Sequence, residues 1–412
     1  MTGIKAFDGY IVDQDHAEEV VSPAYDSVSP EQRRLFAEAN PGNFLNTMRL
    51  LDDFSEENRP SPEELLDINR RNLDALLENG SFNELSQPCL FIYQLDSGDH
   101  VQTGVVCEVA VAEYENNQIR KHENTRSDKE DLLANYQKVV GAASSPICLA
   151  YAQDDDIDAA INTLTTRKAD LEFTSQDKVI QRVWCIDTSG DQNVLTQLFQ
   201  KVSTTYLTDG HHRAASGRRY AEIMRAEKGN SGDEPYNQLL VALFPDDQLN
   251  LLPFHRCVRD LNGKGVEQIV EELSTHFEVE PLPGCKSFES SGHGEFGMLI
   301  GNEWFRLQIK PEFINSKDPV SSLDVSLLQD LILDPVFGIA DMRSDSRLDY
   351  VAGVSGTEGI YQKQSEGWEV VFVCYATSID QLMDVADAGG LMPPKSTYFD
   401  PKPRSGIFVR LK

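Results

Sequence analysis

The sequence predicts an α+β fold in which mixed sheets are combined with helices. Short apolar runs rich in β-branched and aromatic residues favour strands, and acidic segments with apolar residues at helical spacing favour helices. At 412 residues the chain is too long for one typical core, so we expect two regions. We place the boundary at a glycine-containing stretch after residue 260. Residues 1–260 then form an N-terminal α+β region, and residues 261–412 form a C-terminal α/β region.

The elements follow from local patterns. Residues 22–26 read as a turn, and Ser29 with Pro30 marks the start of a helix. Strands are predicted at residues 89–95, 104–111, 147–151, 179–185, 202–207, 238–244 and 304–309. Helices are predicted at residues 62–79, 213–228, 266–277 and 325–333.

The composition excludes several classes of protein. The net charge is −30, from 67 acidic and 37 basic residues, which disfavours a nucleic-acid partner. No apolar run reaches the length of a membrane span and no signal peptide precedes the first elements, so we expect a cytoplasmic protein without a membrane partner. The seven cysteines form no CxxC pair, which indicates reduced thiols rather than a zinc ribbon. The oligomeric state is not indicated.

The segment Asp-Gly-His-His-Arg at residues 209–213 is the strongest functional signal. It joins a predicted strand to a predicted helix, so free backbone N–H groups and the positive end of a helix dipole coincide there. Gly210 provides the turn, and His211, His212 and Arg213 lie on the first helical turn. The segment therefore predicts an anion site, with phosphate as the expected ligand.

Three other polar segments are candidates. In residues 121–126, Glu123 is flanked by cations such as Lys121 and could position a substrate or a metal, or accept a proton, although a solvated loop is an equal alternative. His255 and Arg256 repeat the His-Arg chemistry at a strand end, which could instead be a surface feature. Lys395 lies in a proline-rich loop that could donate to phosphate oxygens or could be a terminal decoration.

Common metal and nucleotide motifs are absent from the sequence. Adjacent histidines on a helix point about 100° apart, so His211 and His212 do not form a simple bidentate metal site. There is no HExxH, Walker A or dinucleotide-binding glycine motif. We therefore predict no metal ligands among the protein side chains.

Taken together, the motifs resemble those of a known family. Segments at residues 22–30, 121–125, 209–213, 252–256, 323–328 and 392–399 occur in one order. This series resembles a large prokaryotic family known as the domain of unknown function number ten-fifteen. The chain has Ala24 and Phe254 where the family pattern has proline and threonine.

The Asp-Gly-His-His-Arg segment also resembles the phosphate-binding motif of the ParB/sulfiredoxin-like fold, which is carried by kinases that phosphorylate free L-serine. The resemblance implies a ParB/sulfiredoxin-like unit and a kinase that uses ATP or ADP with Mg²⁺. It implies that the residues at 209–213 bind the nucleotide phosphates, with Asp209 and His212 taking part in catalysis. Asp209 would either hold the metal or cap the helix. Glu123 is our choice of catalytic base, and Lys121, Lys395, His255 and Arg256 are further candidate nucleotide contacts.

One other function stays open from the same resemblance, and two more are disfavoured. The alternative is a ParB-like nucleotide-binding regulatory module without small-molecule turnover. A sulfiredoxin-like redox enzyme is disfavoured, because its reactive cysteine would stand where this chain has His211. DNA binding is disfavoured by the negative charge and the lack of a basic helix-turn-helix.

Overall fold

The computed structural model describes residues 1–23, 25, 29–314 and 317–412. The turn expected at residues 22–26 and the departure at Ala24 fall wholly or partly outside these residues. The chain forms two compact units, Met1–Leu249 with Pro401–Lys412, and Asn250–Asp400. The division thus lies before residue 250 and not after residue 260, and the C-terminal segment returns to the first unit. The glycine-containing stretch expected to be a hinge connects a strand to a helix inside the second unit.

The described residues contain both helices and strands throughout, which confirms the α+β prediction. The α-helices are α1 (Ala17–Val20), α2 (Pro30–Ala39), α3 (Pro62–Glu78), α4 (Val111–Glu115), α5 (Ser127–Val140), α6 (Asp155–Leu164), α7 (Ser189–Phe199), α8 (His211–Lys228), α9 (Val266–Leu273), α10 (Asp324–Leu328), α11 (Gly356–Ser365) and α12 (Ile379–Asp387). Among the described residues, no helix is long and apolar enough to cross a membrane.

The strands are β1 (Tyr10–Val12), β2 (Phe82–Glu84), β3 (Leu90–Asp96), β4 (Val101–Ala110), β5 (Ile119–Arg120), β6 (Ala142–Ala143), β7 (Ile147–Tyr151), β8 (Leu171–Thr174), β9 (Ile180–Ile186), β10 (Thr205–Asp209), β11 (Gln238–Pro245), β12 (Leu251–Leu252), β13 (Phe254–Val258), β14 (Phe277–Pro281), β15 (Glu295–Ile300), β16 (Glu303–Ile309), β17 (Leu348–Ala352), β18 (Val370–Val373), β19 (Tyr398–Phe399) and β20 (Phe408–Leu411).

An eight-stranded sheet forms the centre of the first unit, in the order β5-β10-β7-β11-β4-β3-β9-β8. The predicted hairpin of β3 and β4 is confirmed, and these strands pair antiparallel. Strand side chains alternate between the two faces of a sheet. In β3, Phe91 and Tyr93 enter one apolar cluster while Leu90 and Ile92 enter another. Both faces of the sheet are therefore buried, which explains why its central strands read as continuous apolar runs.

A smaller four-stranded sheet, in the order β2-β1-β20-β6, completes the first unit. Strand β20 comes from the C-terminal segment and pairs antiparallel with both β1 and β6. Phe408 of β20 is fully buried and packs against Phe91 of the large sheet, with ring centroids 4.9 Å apart. The end of the chain is thus part of the core of the first unit.

The second unit is built on a six-stranded sheet in the order β14-β16-β15-β18-β13-β17. All of its described strand pairs are antiparallel, so this sheet lacks the parallel pairing expected of an α/β region. The helix predicted at residues 266–277 ends at Leu273, because Phe277 is the buried first residue of β14. The helix predicted at residues 325–333 runs as α10 and continues as a π-helical turn, Gln329–Leu333.

Candidate functional site

Two loops of the first unit meet because β5 and β10 pair in parallel. Thr205 is opposite Ile119 and Tyr206 is opposite Arg120 in this pairing. The carboxyl ends of parallel neighbours lie at the same edge of a sheet, and ligand sites of open sheets form there. The segments that follow the two strands, residues 121–126 and 209–213, are therefore brought together. These are the two segments with the strongest functional signals in the sequence.

The second segment forms the predicted strand, turn and helix. Strand β10 ends at Asp209, and the 18-residue helix α8 begins at His211 and ends before Gly229, as the pattern predicts. Gly210 is the N-cap residue, with a φ of +94° in the left-handed region that favours glycine. A Cβ atom at this position would also lie 2.9 Å from Nε of Arg213. A residue other than glycine would therefore strain the turn.

The N-terminus of α8 is suited to an anion. No side chain of the described residues caps it, and its first turn contains no acidic residue. Every other α-helix in the described part of the chain carries at least one acid in its first turn. The first N–H groups of a helix have no partner within the helix, and its dipole favours a negative charge there. This helix start can therefore accept phosphate oxygens.

Asp209 is held between two cations. Its Oδ2 accepts a hydrogen bond from Nη2 of Arg213 at 2.5 Å, and its Oδ1 accepts one from Nζ of Lys402 at 2.8 Å. Arg213 also donates through Nη1 to the backbone oxygen of Pro146 at 2.5 Å. Burial would raise the pKa of Asp209, but the charges of Lys402 and Arg213 lower it to about 2. Asp209 is thus an ionised anchor for both cations.

His122, Glu123 and His211 form a cluster beside this anchor. The rings of His122 and His211 are edge to face, with centroids 4.5 Å apart. Oε2 of Glu123 lies 3.8 Å from Nδ1 of His211, and the Glu123 side chain is 48% exposed. Burial lowers the pKa of His122 to about 4, and burial together with the nearby His122 holds the pKa of His211 well below its usual value. Both imidazoles are therefore neutral at pH 7.

The remaining predicted residues of the first unit lie around this cluster. Nε2 of His212 accepts a hydrogen bond from the backbone N–H of Arg126 at 3.3 Å, which links the helix start to the other loop. Nζ of Lys121 lies 4.5 Å from the centre of the Tyr114 ring, a cation–π contact. The structure thus brings together Glu123, Asp209, His211, His212 and Arg213.

The other predicted residues belong to the second unit. Arg256 is fully buried and donates through Nη2 to the backbone oxygen of Lys395 at 2.9 Å. Nζ of Lys395 lies 5.0 Å from the centre of the Phe254 ring. Nδ1 of His255 accepts a hydrogen bond from the backbone N–H of Cys374 at 3.3 Å, and burial lowers the pKa of His255 to about 4. A role for these residues in binding nucleotide stays a prediction.

Two residues of the site are missing from the candidates chosen by sequence. His122 directly precedes Glu123, so its place in the same polar segment was the available signal. Lys402 lies between Pro401 and Pro403, where the proline pair signals only a rigid segment. Its contact with Asp209 spans 193 positions of sequence and follows no local pattern.

The arrangement permits several kinds of chemistry. Glu123 is an exposed carboxylate that can take a proton from a hydroxyl, and the helix start can hold phosphate oxygens. For Mg²⁺, which binds through one or two carboxylates together with substrate phosphates, Glu123 is a suitable ligand. Asp209 is not, since both of its oxygens are paired with cations.

Comparisons with solved structures find proteins of low identity. A free serine kinase in complex with AMP is 13% identical, covers 74% of this chain and 91% of its own, and has a TM-score of 0.37. SbnI with a C-terminal truncation, from Staphylococcus aureus, is 12% identical, covers 77% and 89%, and has a TM-score of 0.38. A conserved hypothetical protein from Pyrococcus furiosus is 13% identical, covers 74% and 95%, and has a TM-score of 0.34.

No curated protein sequence matches the chain. A family profile described as a protein of unknown function, DUF1015, matches residues 4–326. The match spans most of the chain, including β5, β10, the start of α8 and the loops between them, and it confirms the resemblance to the family. The motif segment at residues 392–399 lies outside the match. The chain therefore belongs to the DUF1015 family.

Proposed function

We propose that this protein is a nucleotide-dependent kinase that phosphorylates the hydroxyl of a free small molecule, L-serine in the first instance. One observation carries the proposal: Glu123, a half-exposed carboxylate, stands 3.8 Å from His211 at an uncapped helix start. A proton acceptor and a phosphate cradle are thus adjacent. Phosphoryl transfer needs this combination, because its catalysis rests on positioning and on neutralisation of charge.

The steps are assigned as follows. The first-turn N–H groups of α8 bind the phosphates of ATP or ADP, with the anchored guanidinium of Arg213 adding positive charge. The oxygen of the serine hydroxyl bonds to the terminal phosphorus of the nucleotide, while Glu123 accepts the hydroxyl proton. The bond between that phosphorus and the bridging oxygen of the leaving nucleotide breaks in the same step. Mg²⁺, when bound, neutralises the phosphate oxygens. His212 accepts a hydrogen bond from the backbone N–H of Arg126, and this contact holds the loop that carries Glu123 against the start of α8.

The direct test incubates the purified protein with L-serine, Mg²⁺ and either ATP or ADP, in buffer freed of transition metals. We expect O-phosphoserine, detected by mass spectrometry and ³¹P NMR. Nucleotide binding without product from serine or from other small hydroxyl compounds would indicate the ParB-like regulatory module. Absence of both nucleotide binding and product would contradict both functions.

The role of Glu123 is tested by Glu123→Gln, which keeps the shape of the side chain and removes the proton acceptor. Turnover should fall by about 100-fold or more, while the nucleotide Kd changes by no more than about twofold. Asp128→Asn is the matched control, because Asp128 is an exposed carboxylate in the adjacent segment, paired with Arg126 at 2.6 Å. Equal rates for Glu123→Gln and the wild type would remove Glu123 as the base.

A further inference from the structure

We propose that His122, Glu123 and His211 form a binding site for a divalent transition-metal ion, with Zn²⁺ and Co²⁺ as the ions to use as probes. One ligand atom of each residue lies within 4.8 Å of those of the other two. Ligands bound to one ion at about 2.0 to 2.2 Å are separated by about 3 to 3.5 Å. Closing the site thus requires movements of about 1 Å, which the exposed side chain of Glu123 can provide.

The two histidines point to a ligand because their polar atoms are buried and unsatisfied. His122 is 1% exposed and His211 is 6% exposed. Neither ring nitrogen of His122, nor Nε2 of His211, makes a hydrogen bond of ordinary geometry with the described residues. Buried polar groups in proteins are almost always partnered, so these nitrogens need an explanation. A metal ion would take the one lone pair of each neutral ring. The N–H of His122 would then keep the contact that this ring makes with the backbone oxygen of Leu207.

The carboxylate distinguishes an ion from a water molecule in this position. A buried water would also satisfy imidazole nitrogens and could donate to a carboxylate, but it carries no positive charge to offset that of the carboxylate. Glu123 adds that charge at 3.8 Å from His211. The opposing charges of Lys402 and Arg213 are partly balanced by Asp209, which is paired with both. The local electrostatics are therefore compatible with a cation.

The donor set indicates which metals the site would take. Two imidazoles and one carboxylate suit Zn²⁺, Co²⁺ and related ions, whereas Mg²⁺ and Ca²⁺ prefer oxygen ligands. Three protein ligands leave at least one position for water or an oxygen of a bound molecule, as in catalytic and not structural zinc sites. The site does not depend on the proposed kinase activity, and it is measured without nucleotide.

The test uses the full chain, stripped with a chelator and then dialysed against Zn²⁺ or Co²⁺ in the absence of nucleotide. We expect one ion per chain by elemental analysis, and visible absorption bands of Co²⁺ bound to nitrogen ligands. A tenfold excess of Mg²⁺ should leave the Co²⁺ spectrum unchanged. No stoichiometric binding, or displacement of Co²⁺ by Mg²⁺, would overturn the proposal while leaving the serine assay unaffected.

Variants locate the ion. Glu123→Gln and His211→Gln should weaken Co²⁺ binding by about tenfold or more, because each removes a ligand. Asp128→Asn is the control, since Asp128 is exposed and lies outside the cluster, and this variant should bind Co²⁺ like the wild type. His211→Gln alters a buried residue and could fail to fold, whereas Glu123 is half exposed, so Glu123→Gln alone decides. Unchanged Co²⁺ affinity in Glu123→Gln would overturn the site.

Discussion

At Gly210 the backbone adopts a φ of +94°, and the space beside its Cα is filled by the guanidinium of Arg213. The guanidinium cannot easily move away from Gly210, because hydrogen bonds to Asp209 and to the backbone oxygen of Pro146 hold it in place. The glycine was identified in the sequence from its place between a strand and a helix. The guanidinium that fills the space beside it became visible only in the structure.

Gly210→Ala should therefore destabilise the protein by about 1 to 2 kcal/mol through backbone strain and also displace Arg213. Nucleotide affinity should fall with it, measured by calorimetry alongside thermal unfolding. Gly229→Ala is the matched control, since Gly229 has a φ of +92° and no neighbour within 4 Å of an added Cβ. It should show the strain without the loss of affinity. Equal nucleotide affinity in the two variants would contradict the steric explanation.

A second prediction at this scale concerns His255. Burial lowers its pKa to about 4 from 6.5, so the folded state binds a proton less readily than the unfolded state. Stability is then complete above about pH 6.5 and falls as the pH drops towards 4, by up to about 3 kcal/mol. The variant His255→Asn keeps an acceptor for the N–H of Cys374 and does not titrate. Urea unfolding across this range should show that the wild type loses more stability than the variant; parallel curves would show that His255 does not contribute.

At the scale of elements, the site depends on how two strands pair. Local pattern predicted β10 and α8 closely, because each carries its own periodicity and the helix ends at Gly229. A strand-like run precedes Lys121 in the sequence, but β5 is only two residues long and carries no pattern that would identify its partner strand. Its parallel pairing with β10 is a long-range contact, and this contact places His122 and Glu123 next to His211. Sequence reasoning named both segments but had no means to join them.

The C-terminal segment supports the start of α8 through Lys402, whose side chain is 12% exposed in its pair with Asp209. Lys402→Met should destabilise the protein by about 3 kcal/mol, because it leaves a buried carboxylate with one partner fewer. Adding Asp209→Asn should recover part of this loss in chemical denaturation. The control is Lys201→Met, whose ion pair with Asp156 is exposed and screened by solvent, so its loss should change the stability little. If the two lysine variants lost similar amounts of folding free energy, the buried pair of Lys402 with Asp209 would contribute no more to stability than an exposed ion pair.

At the scale of the whole molecule, the second unit is an insertion in the first. The chain leaves the first unit after Leu249 and returns to it at Pro401. The two ends of the second unit are adjacent, since the backbone N–H of Asp400 donates to the oxygen of Asn250 at 3.1 Å. The chain length indicated two regions but not this arrangement, since a sequential division is the simpler interpretation of length and linkers. A unit with neighbouring ends can be inserted in a loop without disturbing its host.

Two deletions test this arrangement. Replacing residues 250–400 by a short Gly-Ser linker should leave a first unit that unfolds cooperatively, because its sheets and core remain complete. Ending the chain at residue 400 should abolish cooperative unfolding or lower the Tm strongly, because it removes β20 and Lys402. Circular dichroism with urea and heat measures both. A chain ending at residue 400 with the stability of the full protein would contradict the role given to the C-terminal segment.

The sequence by itself determined the mixed fold, the strand, turn and helix at which we propose an anion site, and the family to which the chain belongs. Those features depend on local periodicity, on glycine's conformational freedom and on motifs that keep their order. The tertiary structure alone decided that His122 contacts His211, that Lys402 pairs with Asp209 and that the end of the chain joins the first unit. These contacts join residues far apart along the chain, where no local pattern specifies which partners will meet.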